Sequence, residues 1–138
     1  MGAFASYPLI TVSQLGESRD FFLKYFSMSI AFEASWVAML SHGEGEPIAV
    51  GLMTADHPSR PPGPETFDGE GMIMTFQVDD AAAAYARLKG LGAPVVYDLT
   101  EEPWGQRRFM LRDPSGIKID VVEQIEPAAG FWDKYMTG

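Results

Sequence analysis

An internal repeat constrains this chain more than any single motif does. Tyr7 to Val12 reads as a first strand, with Pro8 tolerable at its start or on a sheet edge. Helical spacing follows over Ser13 to Ser27, where Leu15, Arg19, Phe22 and Phe26 share a face with Phe21 and Tyr25 beside them. Ser13 is the expected N-cap, and Glu17 lies in the first turn, where the helix dipole favours an acid. Strands are then expected over Ser29 to Ser35, Val37 to Ser41 and Ile48 to Met53, with Gly51 marking a bulge or a close approach of ligand or backbone. The order returns in the second half. Met72 to Val78 reads as a strand, Ala81 to Leu91 as a helix capped by Asp79 and closed by Gly90 and Gly92, and Ala93 to Asp98 as a strand. Val12 and Val78 occupy matched places before the two helices, 66 positions apart (78 − 12). Such a repeat points to duplicated modules, each with one sheet face covered by its helix and the other left for a partner half or a ligand.

The second module ends in a hairpin. Asp113-Pro114-Ser115-Gly116 has turn chemistry at each place: an Asp to bond the backbone two residues on, a Pro to set φ, a Gly to tolerate the exit. Beyond it, Ile117, Ile119 and Val121 alternate with Lys118, Asp120 and Val122, giving an aliphatic face and a mostly charged one. This pattern suits a strand lining a cavity and equally any half-exposed strand.

The boundaries follow from composition. Residues 1–53 form the first module, 54–70 a Pro- and Gly-rich linker, 71–126 the second module and 127–138 a tail. The linker contains Pro61-Pro62-Gly63-Pro64 and can alternatively drape over a cavity as a lid. The tail carries Phe131, Trp132 and Tyr135 near helical spacing, which predicts a short docked helix covering an edge or meeting a second subunit.

Bulk properties exclude several classes. The 138 residues contain no cysteine, so disulfides, thiolate metal sites and cysteine nucleophiles are ruled out. A net charge of −9 argues against a nucleic-acid partner; it serves solubility, and it also suits the approach of a cationic or neutral ligand. No membrane span and no secretory signal is visible, and a cytoplasmic location is expected. Phosphate-cradling loops, dinucleotide fingerprints and a recognisable Ser-His-Asp arrangement are absent too.

Three stretches carry a family resemblance. They are Val12-Ser13-Gln14-Leu15-Gly16-Glu17-Ser18 with Phe21-Phe22, then Phe76-Gln77-Val78-Asp79-Asp80, then Arg112-Asp113-Pro114-Ser115-Gly116. Over residues 5–126 the chain resembles the vicinal oxygen chelate superfamily, which includes glyoxalase I, extradiol dioxygenases, fosfomycin-resistance enzymes and bleomycin-resistance proteins. The resemblance implies an α+β fold of two βαβββ modules whose mixed sheets form paired cups around a ligand. It also implies a homodimer, because many members build their sites from both subunits. Metal-dependent members place ligands at matched positions of the repeat, and here those positions hold Tyr7, Ile73 and Asp120. An open divalent site needs about three His, Asp or Glu ligands. Ile73 cannot ligate and no His stands at these positions, the only two being His42 and His57 in loops. No metal cofactor is therefore expected.

The candidate ligand-binding residues are Tyr7, Ile73, Thr75, Trp104, Arg107 and Asp120. Asp120 can hold a cationic group or act as a general base. Its plain alternative is an ion pair with Lys118 or with an arginine of the neighbouring strand. Trp104, in the Pro103-Trp104-Gly105 loop, can stack on a planar ligand or merely anchor its loop. Adjacent Arg107 and Arg108 point to opposite faces of their strand, so one of them enters the cavity. Thr75 and Gln77 share a face with Ile73 by alternation, and Tyr7 is assigned to the same cup. These residues suit a metal-independent protein that holds a small, partly aromatic molecule, such as a drug, in a cleft. A lyase, isomerase or dioxygenase is the alternative, using Asp120 as base or Asp120 with His42 or Glu46 on a metal. A regulatory dimer with a vestigial pocket is the third reading.

Overall fold

A computed structural model of the protein describes residues 2–58 and 65–138. It divides into two compact units, Met1–Glu70 with Asp113–Ile117, and Gly71–Arg112 with Lys118–Gly138. The Pro61-Pro62-Gly63-Pro64 run lies outside the described residues.

The first unit contains β1 (Leu9–Thr11), α1 (Leu15–Phe26), β2 (Ser29–Ala34), β3 (Val37–Ser41) and β4 (Ile48–Met53). Its sheet runs β1-β4-β3-β2, with β1 parallel to β4 and the other pairs antiparallel. Residues opposite one another in register share a face. Ile10, Leu52, Ala38 and Glu33 make one such row, and Glu33 pairs with Arg19 of α1. That pair marks the helix side. Leu40, Val50, Leu52, Phe21 and Phe22 are buried there, which accounts for the apolar spacing of both strand and helix. The opposite face carries Leu9, Met39 and Phe32 in the row of Gly51. A Cβ at Gly51 would stand 2.7 Å from Leu9 Cδ1 and 2.8 Å from Met39 Sδ, so the close approach inferred there is made by side chains.

The second unit contains β5 (Ile73–Gln77), α2 (Ala81–Gly90), β6 (Val95–Glu102), β7 (Gln106–Arg112) and β8 (Lys118–Gln124). Its sheet runs β5-β8-β7-β6, again with one parallel pair, β5 with β8. Phe76, Val121 and Phe109 form a row beneath α2, where Tyr85 meets Phe109 edge-on at 5.2 Å and Leu88 is buried. The repeat is thus an α+β fold of two four-stranded mixed sheets, each with one helix.

Several local expectations need correction. The first strand is only Leu9–Thr11; Tyr7 and Pro8 precede it, although the Pro8 carbonyl accepts from Gly51 N–H at 2.9 Å. Ser13 does not cap α1. Gln14 holds the cap position without a side-chain bond, and its N–H donates to Ser115 Oγ at 3.1 Å, a partner 101 residues away. Asp80, not Asp79, caps α2, because only Asp80 stands three residues before an amide it can reach, that of Ala83 at 3.0 Å. Glu101 and Glu102 extend β6 instead of opening a loop, since they pair with Arg107 and Gln106 across the hairpin. The tail makes successive turns and no helix. It docks through Trp132 Nε1, which donates to the Trp104 carbonyl at 2.8 Å.

Candidate functional site

The face of the second sheet turned away from α2 gathers most of the candidate residues. Thr75, Asp120, Met110 and Tyr97 are register partners across all four strands. A neighbouring row joins Gln77, Val122, Arg108 and Thr100, and another joins Ile73, Lys118 and Arg112. Ile73 is 48% exposed and Tyr97 37% exposed, so the face is open to solvent at both edge strands. A cleft of about 360 Å³, lined by Gly71, Met72, Ile73 and Lys118, opens at one end.

Arg108 is the centre of this face. Its Nε donates to Glu102 Oε2 at 2.8 Å and its Nη1 to Asp120 Oδ2 at 3.3 Å. Burial of the guanidinium works to lower its pKa, but the hydrogen bonds from Arg108 to Glu102 and Asp120 outweigh burial and hold it above the ordinary value. The guanidinium also lies against two rings, 5.4 Å from the centroid of Tyr97 and 5.2 Å from that of Trp104. Tyr97 Oη donates to the same Glu102 Oε2 at 2.9 Å. Two carboxylates and one guanidinium leave this cluster with one net negative charge, by formal count.

Asp120 is 5% exposed, and its Oδ1 is buried with no hydrogen-bond partner among the described residues. Of the readings open for it, the ion pair with an arginine of the neighbouring strand is the one the fold makes, through one oxygen only. Trp104 is anchored: its Nε1 donates to Gln106 Oε1 at 2.8 Å and its ring lies 6.4 Å from that of Phe131. It therefore anchors its loop and at the same time lies against the Arg108 guanidinium.

Arg107 and Arg108 do take opposite faces, and Arg108, not Arg107, shares the face of Asp120. Arg107 turns to the helix side and pairs with Glu101 and Glu123. Glu123 in turn accepts from the Ala81 N–H at 3.0 Å at the start of α2. Tyr7 belongs to the first unit, where it lines a cleft of about 500 Å³ with Phe4, Ala5, Gly45, Glu46, Pro47 and Ile48. His42 and His57 belong to that unit as well, and His57 is buried beside Trp36. Sequence reasoning passed over Tyr97 and Glu102, and it left open which of Arg107 and Arg108 enters the cavity. A usable signal existed in Glu101-Glu102 followed six residues later by Arg107-Arg108, the spacing of ion pairs across a short hairpin.

The Asp113 turn is a separate, structural cluster within the first unit. Asp113 Oδ1 accepts from Ser115 N–H at 3.0 Å and Ile117 N–H at 2.7 Å, and Gly116 takes φ +90°. Ser18 Oγ donates to Asp113 Oδ2 at 2.5 Å and lies 2.6 Å from Ser115 Oγ. Burial pushes the Asp113 carboxyl above its ordinary pKa, against the hydrogen bonds that lower it.

Two positions that the family resemblance ties to a metal, Ile73 and Asp120, lie on the open face. Ile73 has no donor atom, and the carboxylates of Asp120 and Glu102 already hold a guanidinium. Among the described residues no three His, Cys, Asp or Glu side chains gather as a metal would need.

Comparison with known proteins follows from this architecture. The chain matches the profile of the Glyoxalase/Bleomycin resistance protein/Dioxygenase superfamily over residues 5–121. No curated protein is significantly similar to it. Among solved structures, a glyoxalase/bleomycin resistance protein/dioxygenase from Nocardioides superposes with a TM-score of 0.73 at 17% identity, covering 100% of this chain and 91% of that one. A lactoylglutathione lyase from Agrobacterium tumefaciens superposes with a TM-score of 0.68 at 18% identity, covering 88% and 95%. A member of the superfamily from Sphaerobacter thermophilus gives 0.68 at 19% identity, covering 89% and 98%. At such identities the likeness is one of fold.

Proposed function

Because the chain belongs to the glyoxalase/bleomycin resistance protein/dioxygenase superfamily, we propose that it is a metal-independent member that binds a small, partly aromatic molecule on the open face of its second sheet. The observation that carries this reading is the position of Arg108. At Asp120, the place the family resemblance assigns to a metal ligand, the fold supplies its own cation. A guanidinium fixed by two carboxylates and two rings leaves no coordination sphere to complete, and it rigidifies the floor of a binding face. Around it lie Ile73, Met110, Tyr97 and Thr75, a mainly apolar surface with a few polar groups, as small-molecule sites have. Such a protein sequesters its ligand, as drug-binding members do, and needs no chemistry to act. A homodimer in the cytoplasm is the assembly and place this role suits.

The test is a thermal-shift screen of aromatic and heteroaromatic compounds, run with and without EDTA. A ligand raises the melting temperature in proportion to the logarithm of its excess over Kd. The reading expects hits whose shifts are the same with the chelator present. Hits that vanish with EDTA and return with a divalent metal would transfer the protein to the metal-dependent enzymes of the superfamily.

A further inference from the structure

Resting on that reading, we infer that the ligand is an organic cation whose ammonium N–H bonds to Asp120 Oδ1. Among the described residues, Asp120 is the one acid whose second oxygen is buried without a hydrogen-bond partner, and its strand position places it on the open face. A buried carboxylate oxygen without a donor is costly to keep, so such an atom in a binding face calls for a donor from outside. The charge selects which donor. Glu102, Asp120 and Arg108 sum to one negative charge, so an arriving cation neutralises the cluster and an arriving anion doubles its imbalance. Lys118 and Arg112 lie one same-face row away, toward the start of β5 and β8, and their charges disfavour a cationic group in that row. Tyr97 and Trp104 present ring faces that already hold one planar cation, Arg108, and Tyr97 keeps an exposed side for the body of another molecule. The chain's net charge of −9 favours the approach of the same class of ligand.

Oδ1 is closed to solvent. Thr75 and Met110 are the register partners of Asp120 on the two neighbouring strands, and Met110 has the more flexible side chain of the two. Entry of the ammonium therefore turns the Met110 side chain aside, which gives the proposal a spectroscopic signature apart from affinity.

The experiment uses the full chain labelled at methionine methyl groups. It is titrated with benzylamine and tryptamine, with their neutral alcohols benzyl alcohol and tryptophol, and with the anions benzoate and indole-3-acetate. The amines should bind at least tenfold more tightly than the alcohols, the anions weakest of all, and the Met110 methyl resonance should shift on amine binding. Asp120→Asn, whose amide turns a donor toward the ligand, should bring the amines down to the alcohols' affinity. Because that variant can lose stability, the amine-to-alcohol ratio in the unsubstituted protein decides the matter by itself. Alcohols or anions binding as tightly as the amines would overturn this inference and leave the small-molecule reading standing. Binding by none of the probes overturns the inference, and a thermal-shift screen equally without hits would remove the wider reading with it.

Discussion

Arg107 and Arg108 are neighbours in the chain, yet they are held in different dielectric surroundings. Arg108 has a side chain 19% exposed and bonds to carboxylates that are 9% and 7% exposed, whereas Arg107 pairs partly with Glu101, 64% exposed. Breaking a buried ion pair from one side strands the other charge; an exposed pair loses little. Arg108→Met should therefore cost roughly 3 kcal/mol in urea denaturation, somewhat below the fully buried limit, and Arg107→Met should shift the midpoint much less. Equal effects would mean that the Glu102–Arg108–Asp120 cluster is effectively solvated. Asp113 offers a test with the opposite pH logic to most acids. Its folded pKa is raised above the usual 3.8, so its contribution to stability is fully present below 3.8 and is lost as pH climbs through the raised value. Asp113→Asn keeps an acceptor for the Ser115 and Ile117 amides but cannot ionise. The stability of the natural protein relative to Asp113→Asn should accordingly fall as pH rises through that window. A relative gain with rising pH would show that the hydrogen bonds from Ser18, Ser115 and Ile117 outweigh burial.

Elements were legible where one face repeats, and obscure where a distant residue completes them. Phe21, Phe22 and the Leu40, Val50 and Leu52 positions gave α1 and its sheet their apolar faces, so their existence could be read from spacing. The start of α1 could not, since its cap comes from Ser115 in a turn 101 residues on. Ser115→Ala should destabilise the protein by about 1 kcal/mol and should speed hydrogen exchange at the Gln14 amide; unchanged exchange there would deny Ser115 its capping role. The tail misled for a similar reason. Phe131, Trp132 and Tyr135 have helical spacing, but they pack on one another and on Trp104, and the Trp132 N–H is committed to the Trp104 carbonyl. Its docking depends on Gly105, at φ +113°, whose carbonyl accepts from Ile125 N–H at 2.8 Å. A Cβ there would lie 3.0 Å from the Ile125 carbonyl oxygen and 3.2 Å from Pro127 Cγ. Gly105→Ala should cost about 1–3 kcal/mol from backbone strain, and Trp132 fluorescence should report the tail loosening before the sheet unfolds.

At the scale of the molecule, the duplication explains both what the sequence disclosed and what it withheld. Two modules with matched order follow from alternation and helical spacing alone, and both sheets have the same order and the same single parallel pair. The chemistry is not duplicated. The open face of the first sheet carries Leu9, Met39 and Phe32, while that of the second carries Arg108 between Glu102 and Asp120. Alternation put Asp120 on a charged strand face with Lys118, and the family resemblance singled it out; its partner could not be named, because adjacent arginines are indistinguishable until the hairpin register is known. That register sets Arg108 against Asp120, and the proposed metal-independent reading rests on this pair. Metal analysis of the purified protein after incubation with zinc, nickel, manganese and iron(II), and removal of the unbound ions, tests it most directly. The account predicts far less than one equivalent of any metal, before and after Asp120→Asn. One equivalent of a divalent ion, retained by the natural protein and lost by that variant, would contradict it.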